Sequence, residues 1–329
     1  MSVTTQSIQQ DQGREVMTSL REHMNRHIVG QQHFVERLLI GLIADGHILL
    51  EGAPGLAKTK AVRTLADAIT GSDQRIQFTP DLLPSDLTGT EVYRPENGTF
   101  EFRSGPLFHN LILADEINRA PAKVQAALLE AMAERQITVN GKTYLLPELF
   151  MVMATQNPIE QEGTYPLPEA QLDRFLLHVK IGYPEKSTER QILGIVRDEA
   201  MRGRLEHHPI ITQDALFNCR QLALQTYLSP ALEEYILQLV FATREPAAFG
   251  ADLAHMIAYG ASPRGTIGLD RCARAHAWLR GSDFATPTDV QAVVKDVLRH
   301  RIILTFEAQA DGVTQDLFID ELVKRVPVS

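Results

Sequence analysis

Hydrophobic and polar residues follow two different rhythms along this chain. From about 14 to 44 the apolar positions recur at helical spacing, and "IVGQ" (28–31) breaks that run into two helices. "GHILLEG" (46–52) then gathers its apolar residues into a short run between glycines, which predicts a buried strand. A helix should follow from about 58 to 69, stopped by Gly71. "RIQFT" (75–79), "NLILADE" (110–116), "LFMVMATQNP" (149–158) and "FLLHVKIG" (175–182) read as further strands. Between them, 121–135 is helical, with Pro121 suited to a first helical position. Strands alternating with helices predict an α/β fold, a parallel sheet covered by helices on both faces.

Two segments interrupt that alternation. In 90–103 and 135–146, Asn97-Gly98 and Asn140-Gly141 each stand between β-like runs. Asn-Gly tolerates the positive φ angles of a tight turn, so two β-hairpins are expected. After "GYPEKS" (182–187) the β signal ends and helical stretches follow at about 186–202, 212–226, 230–244, 263–280, 287–300 and 314–325. The expected organisation is an α/β domain over 1–183 and a smaller all-α domain over 184–329. The polar first dozen residues should be loose.

Composition narrows the class. With 329 residues and 44% apolar content the chain can bury a real core. A net charge of −9 argues against a nucleic-acid surface, which usually carries a basic patch. Cys219 and Cys272 are far apart, with no metal-like spacing, as expected of reduced thiols. The opening "MSVTTQSIQQDQ" has no basic-then-apolar order, and runs such as "LLIGLIA" are too short to span a bilayer. A cytoplasmic protein without membrane insertion is the expectation.

The candidate chemistry begins where the first strand ends. "EGAPGLAKTK" (51–60) approaches the pattern G-x-x-x-x-G-K-[ST], with Gly52, Lys58 and Thr59 in place and Ala57 where a glycine usually stands. Backbone N–H groups at a helix start cradle phosphates, and the helix dipole favours their charge. Gly52 and Gly55 can supply the special backbone, while Ala53, Pro54, Leu56 and Lys60 complete the loop wall. Ala57 enters the helix, where alanine is sterically permitted and is the best helix former. Lys58 would reach the β/γ-phosphates and Thr59 would bind Mg²⁺.

Asp115 and Glu116 close "LILADE" at the carboxyl end of a central strand, the edge where open α/β sheets bind ligands. Asp115 would hold the metal shell and Glu116 would orient and deprotonate a water. Capping of the following helix explains one of these acids but not both. Asn157, in "ATQNP", would bring an amide to the same edge, although Asn-Pro alone also forms turns. Arg264 stands in the first turn of a helix capped by Ser262, where the dipole disfavours a cation. Either an anion lies nearby or the side chain is simply solvated. Arg174 closes a short helix, a place locally favourable for a cation. His23 and His27 share a helix face at i, i+4 but have no following glutamate and no third ligand, and the adjacent His207-His208 lacks metal-site spacing.

Together "GAPGLAKT", "FTPDLLPSDLTG" (78–89), "GPLFHNLILADEINRAP" (105–121), "ALLEAMAERQITVNG" (127–141), "ATQNP", "LPEAQLDRF" and "GASPRG" (260–265) resemble the MoxR family of AAA+ ATPases, in the family's order and spacing over roughly 28–270. The resemblance implies an ATP- and Mg²⁺-dependent ATPase with an α-helical lid, assembled as a homo-oligomeric ring, commonly of six. The family itself carries alanine at the position of Ala57. By family position Asn157 resembles sensor 1, Arg264 sensor 2, and Arg174 the arginine finger that completes a neighbour's site. The two hairpins resemble the helix-2 insert and the presensor hairpin. "IVGQ", with Val29 and Gly30, resembles the stretch lining the adenine pocket. The implied role is remodelling or activating a client enzyme with a von Willebrand factor A domain partner. The alternatives are a metal-chelatase motor subunit, a nucleic-acid motor, and a nucleotide-gated binding module without turnover.

Overall fold

The computed structural model describes residues 3–328 apart from 54, 57, 157–163 and 203–208. Two helices, α1 (Val3–His27) and α2 (Gln32–Ile43), lead into β1 (Ile48–Gly52) and α3 (Lys58–Ala68). Next come β2 (Asp73–Gln77), a short α4 (Pro84–Thr88), the hairpin β3 (Gly89–Arg94) and β4 (Thr99–Ser104), then β5 (Leu111–Asp115) and α5 (Ala122–Glu134). A second hairpin, β6 (Gln136–Val139) and β7 (Lys142–Leu145), precedes β8 (Met151–Gln156), α6 (Glu169–Leu172) and β9 (Leu177–Ile181). The five long-range strands pair in parallel in the order β2-β5-β8-β1-β9.

Neighbouring residues of each central strand enter different cores. Ile48, Leu50, Met151, Met153 and Val179 pack with α1–α3 on one face. Leu49, Ile112, Val152 and Ala154 pack with α5 on the other. A strand covered on both faces needs apolar residues at every position, hence the unbroken runs in the sequence.

The lid follows as α7 (Lys186–Arg202), α8 (Gln213–Leu224), α9 (Pro230–Arg244), α10 (Ala251–Met256), β10 (Ile257–Tyr259), α11 (Pro263–Leu279), α12 (Pro287–Leu298), β11 (Ile303–Leu304), α13 (Phe306–Ala310) and α14 (Gln315–Arg325). It is helical except for the small antiparallel pair β10–β11, which the sequence pattern did not show. Trp278 of α11 and Tyr235 of α9 are fully buried at its centre.

Three local expectations change. The polar opening is helical from Val3 onward, because α1 is held by its packing: Met17, Leu20 and Met24 are buried, and Gln10 accepts the indole N–H of Trp278 at 2.6 Å. Pro121 caps α5 from outside instead of starting it. Both hairpins form, but only the second turns on two residues, with Asn140 at φ 49° and Gly141 at φ 81°. The first loops over 95–98, with positive φ at Gly98. The two hairpins lean together through a stack of Phe102 on Tyr144 at 3.9 Å and a hydrogen bond from the Asn140 amide to Glu91 at 2.9 Å.

Among the described residues no helix is long and apolar enough to cross a membrane.

Candidate functional site

β1 delivers the chain to the sheet's carboxyl edge at Gly52, and α3 begins at Lys58. The two glycines of the loop serve different ends. A Cβ on Gly52 would stand 2.7 Å from the Ile181 carbonyl oxygen, so glycine allows β9 its close approach. Gly55 faces open space but holds φ at +84°, a conformation side chains disfavour. Ala53 and Leu56 are buried, and Thr59 and Lys60 are half-buried on the first turn of α3. Pro54 and Ala57, the latter with the expectation attached to it, lie outside the described residues.

The Lys58 ammonium donates to the Gly52 carbonyl at 2.7 Å. Burial lowers its pKa, against the raising effect of Asp115 and Glu116, so lysine and acid pair share one neighbourhood. A half-buried cation at the start of a helix suits a polyphosphate. Thr59 and Asp115 are hard oxygen donors, the chemistry that suits Mg²⁺.

The acid pair is built into a polar ring. Asp115 Oδ1 accepts from the Thr155 hydroxyl at 2.7 Å, and the same hydroxyl accepts from the Glu116 N–H at 2.8 Å. Asp115 Oδ2 accepts from Arg75 at 2.7 and 3.1 Å. A carboxylate offers about four acceptor directions, so the one left can still serve a metal-bound water. Arg75 also donates to Gln77 Oε1 at 2.9 Å, and the Gln77 amide donates to Glu116 Oε2 at 2.8 Å. Arg119 approaches Glu116 Oε2 at 3.1 Å. Glu116 itself sits at φ 57°, ψ 51°, left-handed backbone for a non-glycine residue. Such positions cluster at functional sites.

Arg75, Gln77 and Thr155 were not singled out in the sequence. The available signal was two polar residues, 75 and 77, on one face of an otherwise ordinary strand, with Thr155 inside a motif read for its asparagine. Strand pairing makes them neighbours: β2 lies beside β5 with Gln77 opposite Asp115. Asn157 lies outside the described residues.

Beside the loop is a cavity of about 460 Å³, lined by Val29, Gln31, Leu56, Tyr183, Ile192 and Val196 among others, with Lys60 at its wall. That volume and its apolar walls are typical of a small-molecule pocket. Gly30 plays a packing part: at φ +78°, it lets Thr188 approach so closely that a Cβ would collide with its methyl at 2.1 Å.

Arg174 and Arg264 are elsewhere. Arg174 precedes β9, at the end of the sheet opposite the loop: Leu177 pairs with Ile48, while Ile181 pairs with Gly52. Those four residue steps alone separate the two ends by roughly 13 Å. Arg174 donates to the Leu129 carbonyl of α5 at 2.5 Å. Arg264 does stand in the first turn of α11, with Ser262 capping it at 3.1 Å. The anion near it is Asp173, whose Oδ2 is 3.8 Å from its guanidinium. The two arginines therefore share one corner of the molecule, remote from the phosphate loop of the same chain.

Comparison with known proteins bears on the family and the fold. Residues 47–177 match the model of the ATPase family associated with various cellular activities (AAA), and residues 251–322 match that of the AAA lid domain. The chain is 47% identical over 307 residues to Chaperone MoxR1 of Mycobacterium tuberculosis, covering 92% of this chain and 80% of that protein. It is 34% identical over 328 residues to Protein MoxR of Paracoccus denitrificans, covering 93% and 94%. The solved structure of a candidate ATPase from Cytophaga hutchinsonii superposes with a TM-score of 0.93 at 44% identity, covering 100% of this chain and 99% of that one.

Proposed function

The chain belongs to the MoxR family of AAA+ ATPases, and from that premise we propose that it hydrolyses ATP with Mg²⁺ in order to remodel or activate another protein. One observation carries the proposal: Lys58, Asp115 and Glu116 meet at one sheet edge, while Arg174 and Arg264 lie together at the opposite end. A single chain thus holds most of a phosphoryl-transfer site and, separately, the cations to complete another. A homo-oligomeric ring, commonly of six in this family, unites the two halves.

In this reading the loop N–H groups and Lys58 bind the β/γ-phosphates, and the apolar cavity by Val29 and Leu56 receives the base. Thr59 and Asp115 would hold Mg²⁺, which would neutralise charge on the phosphate oxygens. Glu116 orients the attacking water and takes its proton on a carboxylate oxygen. Arg174 and Arg264 of the adjacent copy stabilise charge developing on the γ-phosphate. The paired hairpins carry the motion to the client, with a von Willebrand factor A domain protein as the expected partner.

The test is direct. Lys58→Ala should lose most affinity for a fluorescent ATP analogue, and the native protein should release phosphate only with Mg²⁺ present. Undiminished binding by the Lys58 variant removes the site assignment. ATPase activity that ignores a von Willebrand A protein encoded nearby, under conditions where the two co-purify, removes the partner reading.

A further inference from the structure

The carboxylate of Asp173 ties the corner of the two arginines together. Its Oδ1 accepts from Arg301 Nε at 2.9 Å, and its Oδ2 accepts from the Ser262 hydroxyl at 2.8 Å. The Arg301 side chain is 2% exposed and reaches on to the Phe175 carbonyl at 2.6 Å and the Leu176 carbonyl at 3.2 Å. With a further contact to the Asp173 carbonyl at 3.4 Å, one buried lid arginine grips the backbone on both sides of Arg174. Ser262 is gripped from both sides as well: while donating to Asp173, its oxygen accepts the N–H of Arg264 at 3.1 Å. Two hydrogen bonds and one carboxylate thus connect the backbone of Arg264 to that of Arg174.

We infer that Asp173 is a positioning residue which fixes Arg174 and Arg264 at one mutual spacing, so that a subunit offers them to the adjacent subunit's nucleotide as a single unit. This rests on the reading that these arginines complete a neighbouring site. A flexible pair would spend binding energy on ordering at each turnover; a braced pair arrives in place. The brace adds to the other links between the lid and this end of the sheet, among them Arg301 to the Leu176 carbonyl and His300 to the Phe175 carbonyl. Asp173 ends α6 beside the sheet, whereas Ser262, Arg264 and Arg301 belong to the lid. Of these links, the Asp173 carboxylate is the one that reaches the Arg264 backbone through Ser262.

The experiment mixes two inactive proteins. A Lys58→Ala chain lacks a phosphate site but offers both arginines; an Arg174→Ala chain keeps the phosphate site but offers no finger. Mixed assemblies of the two should regain ATPase activity at junctions of the right order. Asp173→Asn is then added to one chain or the other. Placed on the Lys58→Ala chain, which donates the arginines, it should lower the recovered kcat on the order of 10- to 100-fold, as expected for misplacing a reacting group by about 1 Å. Placed on the Arg174→Ala chain, it should leave the recovery as it was. ATP-analogue affinity should be unchanged in both. Equal effects in the two placements, whether both silent or both harmful, overturn the inference, since a merely structural residue has no preferred side. Absence of recovery in the parent mixture, with mixed assembly confirmed by mass, removes the shared site and this inference with it. Where Asp173→Asn fails to fold, Ser262→Ala removes the hydroxyl that links Asp173 to the Arg264 N–H and should show the same asymmetry with a smaller drop.

Discussion

Glu116 combines a chemical task with a backbone conformation that opposes it, and substitution can separate the two. At φ 57°, ψ 51° a residue with a Cβ carries about 1–2 kcal/mol of left-handed strain. Glu116→Gly removes that strain but loosens the unfolded chain, which gives back about 0.5–1 kcal/mol. Glu116→Ala is the matched control, because it loses the same carboxylate and keeps the Cβ. The glycine variant should therefore be more stable than the alanine variant by up to about 1.5 kcal/mol, the difference of those two ranges. Glu116→Gln should fall near the native protein, since its amide oxygen can still accept from Gln77 and the half-exposed pair with Arg119 is worth little. All three lack the base, and turnover should drop by about 10²- to 10⁴-fold. Urea denaturation followed by circular dichroism gives the stabilities; phosphate release gives the rates. A glycine variant less stable than the alanine one refutes the strain argument. Normal turnover by Glu116→Gln sends the search to another base.

Acid should weaken the lid through Asp289. Burial pushes its carboxyl upward, but Arg280, Thr286 and His276 outweigh that and bring it from 3.8 to about 2. A depressed carboxylate stabilises the fold above its unfolded value, so about 2 kcal/mol should vanish as the pH falls from about 5 to 2. Denaturation curves for Asp289→Asn should lack that part of the pH dependence, and a slope equal to the native one would refute it. At the loop, Gly52→Ala should destabilise by about 1–3 kcal/mol, because the new methyl meets a backbone oxygen that cannot yield. Gly55→Ala meets no atom and carries only its φ penalty of about 1–2 kcal/mol, so a lower melting temperature for the Gly55 variant contradicts the clash. DNA and RNA should bind no better than about micromolar at physiological salt and leave ATPase activity unchanged; tight binding with stimulation would favour a nucleic-acid motor.

The phosphate loop and the acid pair could be read from the chain because each is a local event, a few residues at the junction of one strand with the next element. Buried strands announced themselves through unbroken apolar runs, and Asn140-Gly141 announced its turn. Arg75 and Gln77 gave no such signal, since their importance comes from β2 lying beside β5, a pairing across forty residues. The corner shared by Arg174 and Arg264 depends on still longer connections, through Arg301 and Asp173. The helicity of the polar opening was missed for the same reason. Nothing in "TTQSIQQDQG" favours order by itself; Trp278 and the neighbouring lid helices provide it.

That last packing has a consequence for how the protein is made. α1 rests against α8 and α11, whose residues run from Gln213 to Leu279, as well as against α3. At about 5–20 residues per second of synthesis, the first helix therefore waits roughly 10–50 s for its partners to leave the ribosome. Through that interval Met17, Leu20 and Met24 have only the α2 and α3 sides to cover them. α1 therefore completes its packing only after residues far along the chain are made, and one side of its apolar stripe stays uncovered until α8 and α11 emerge.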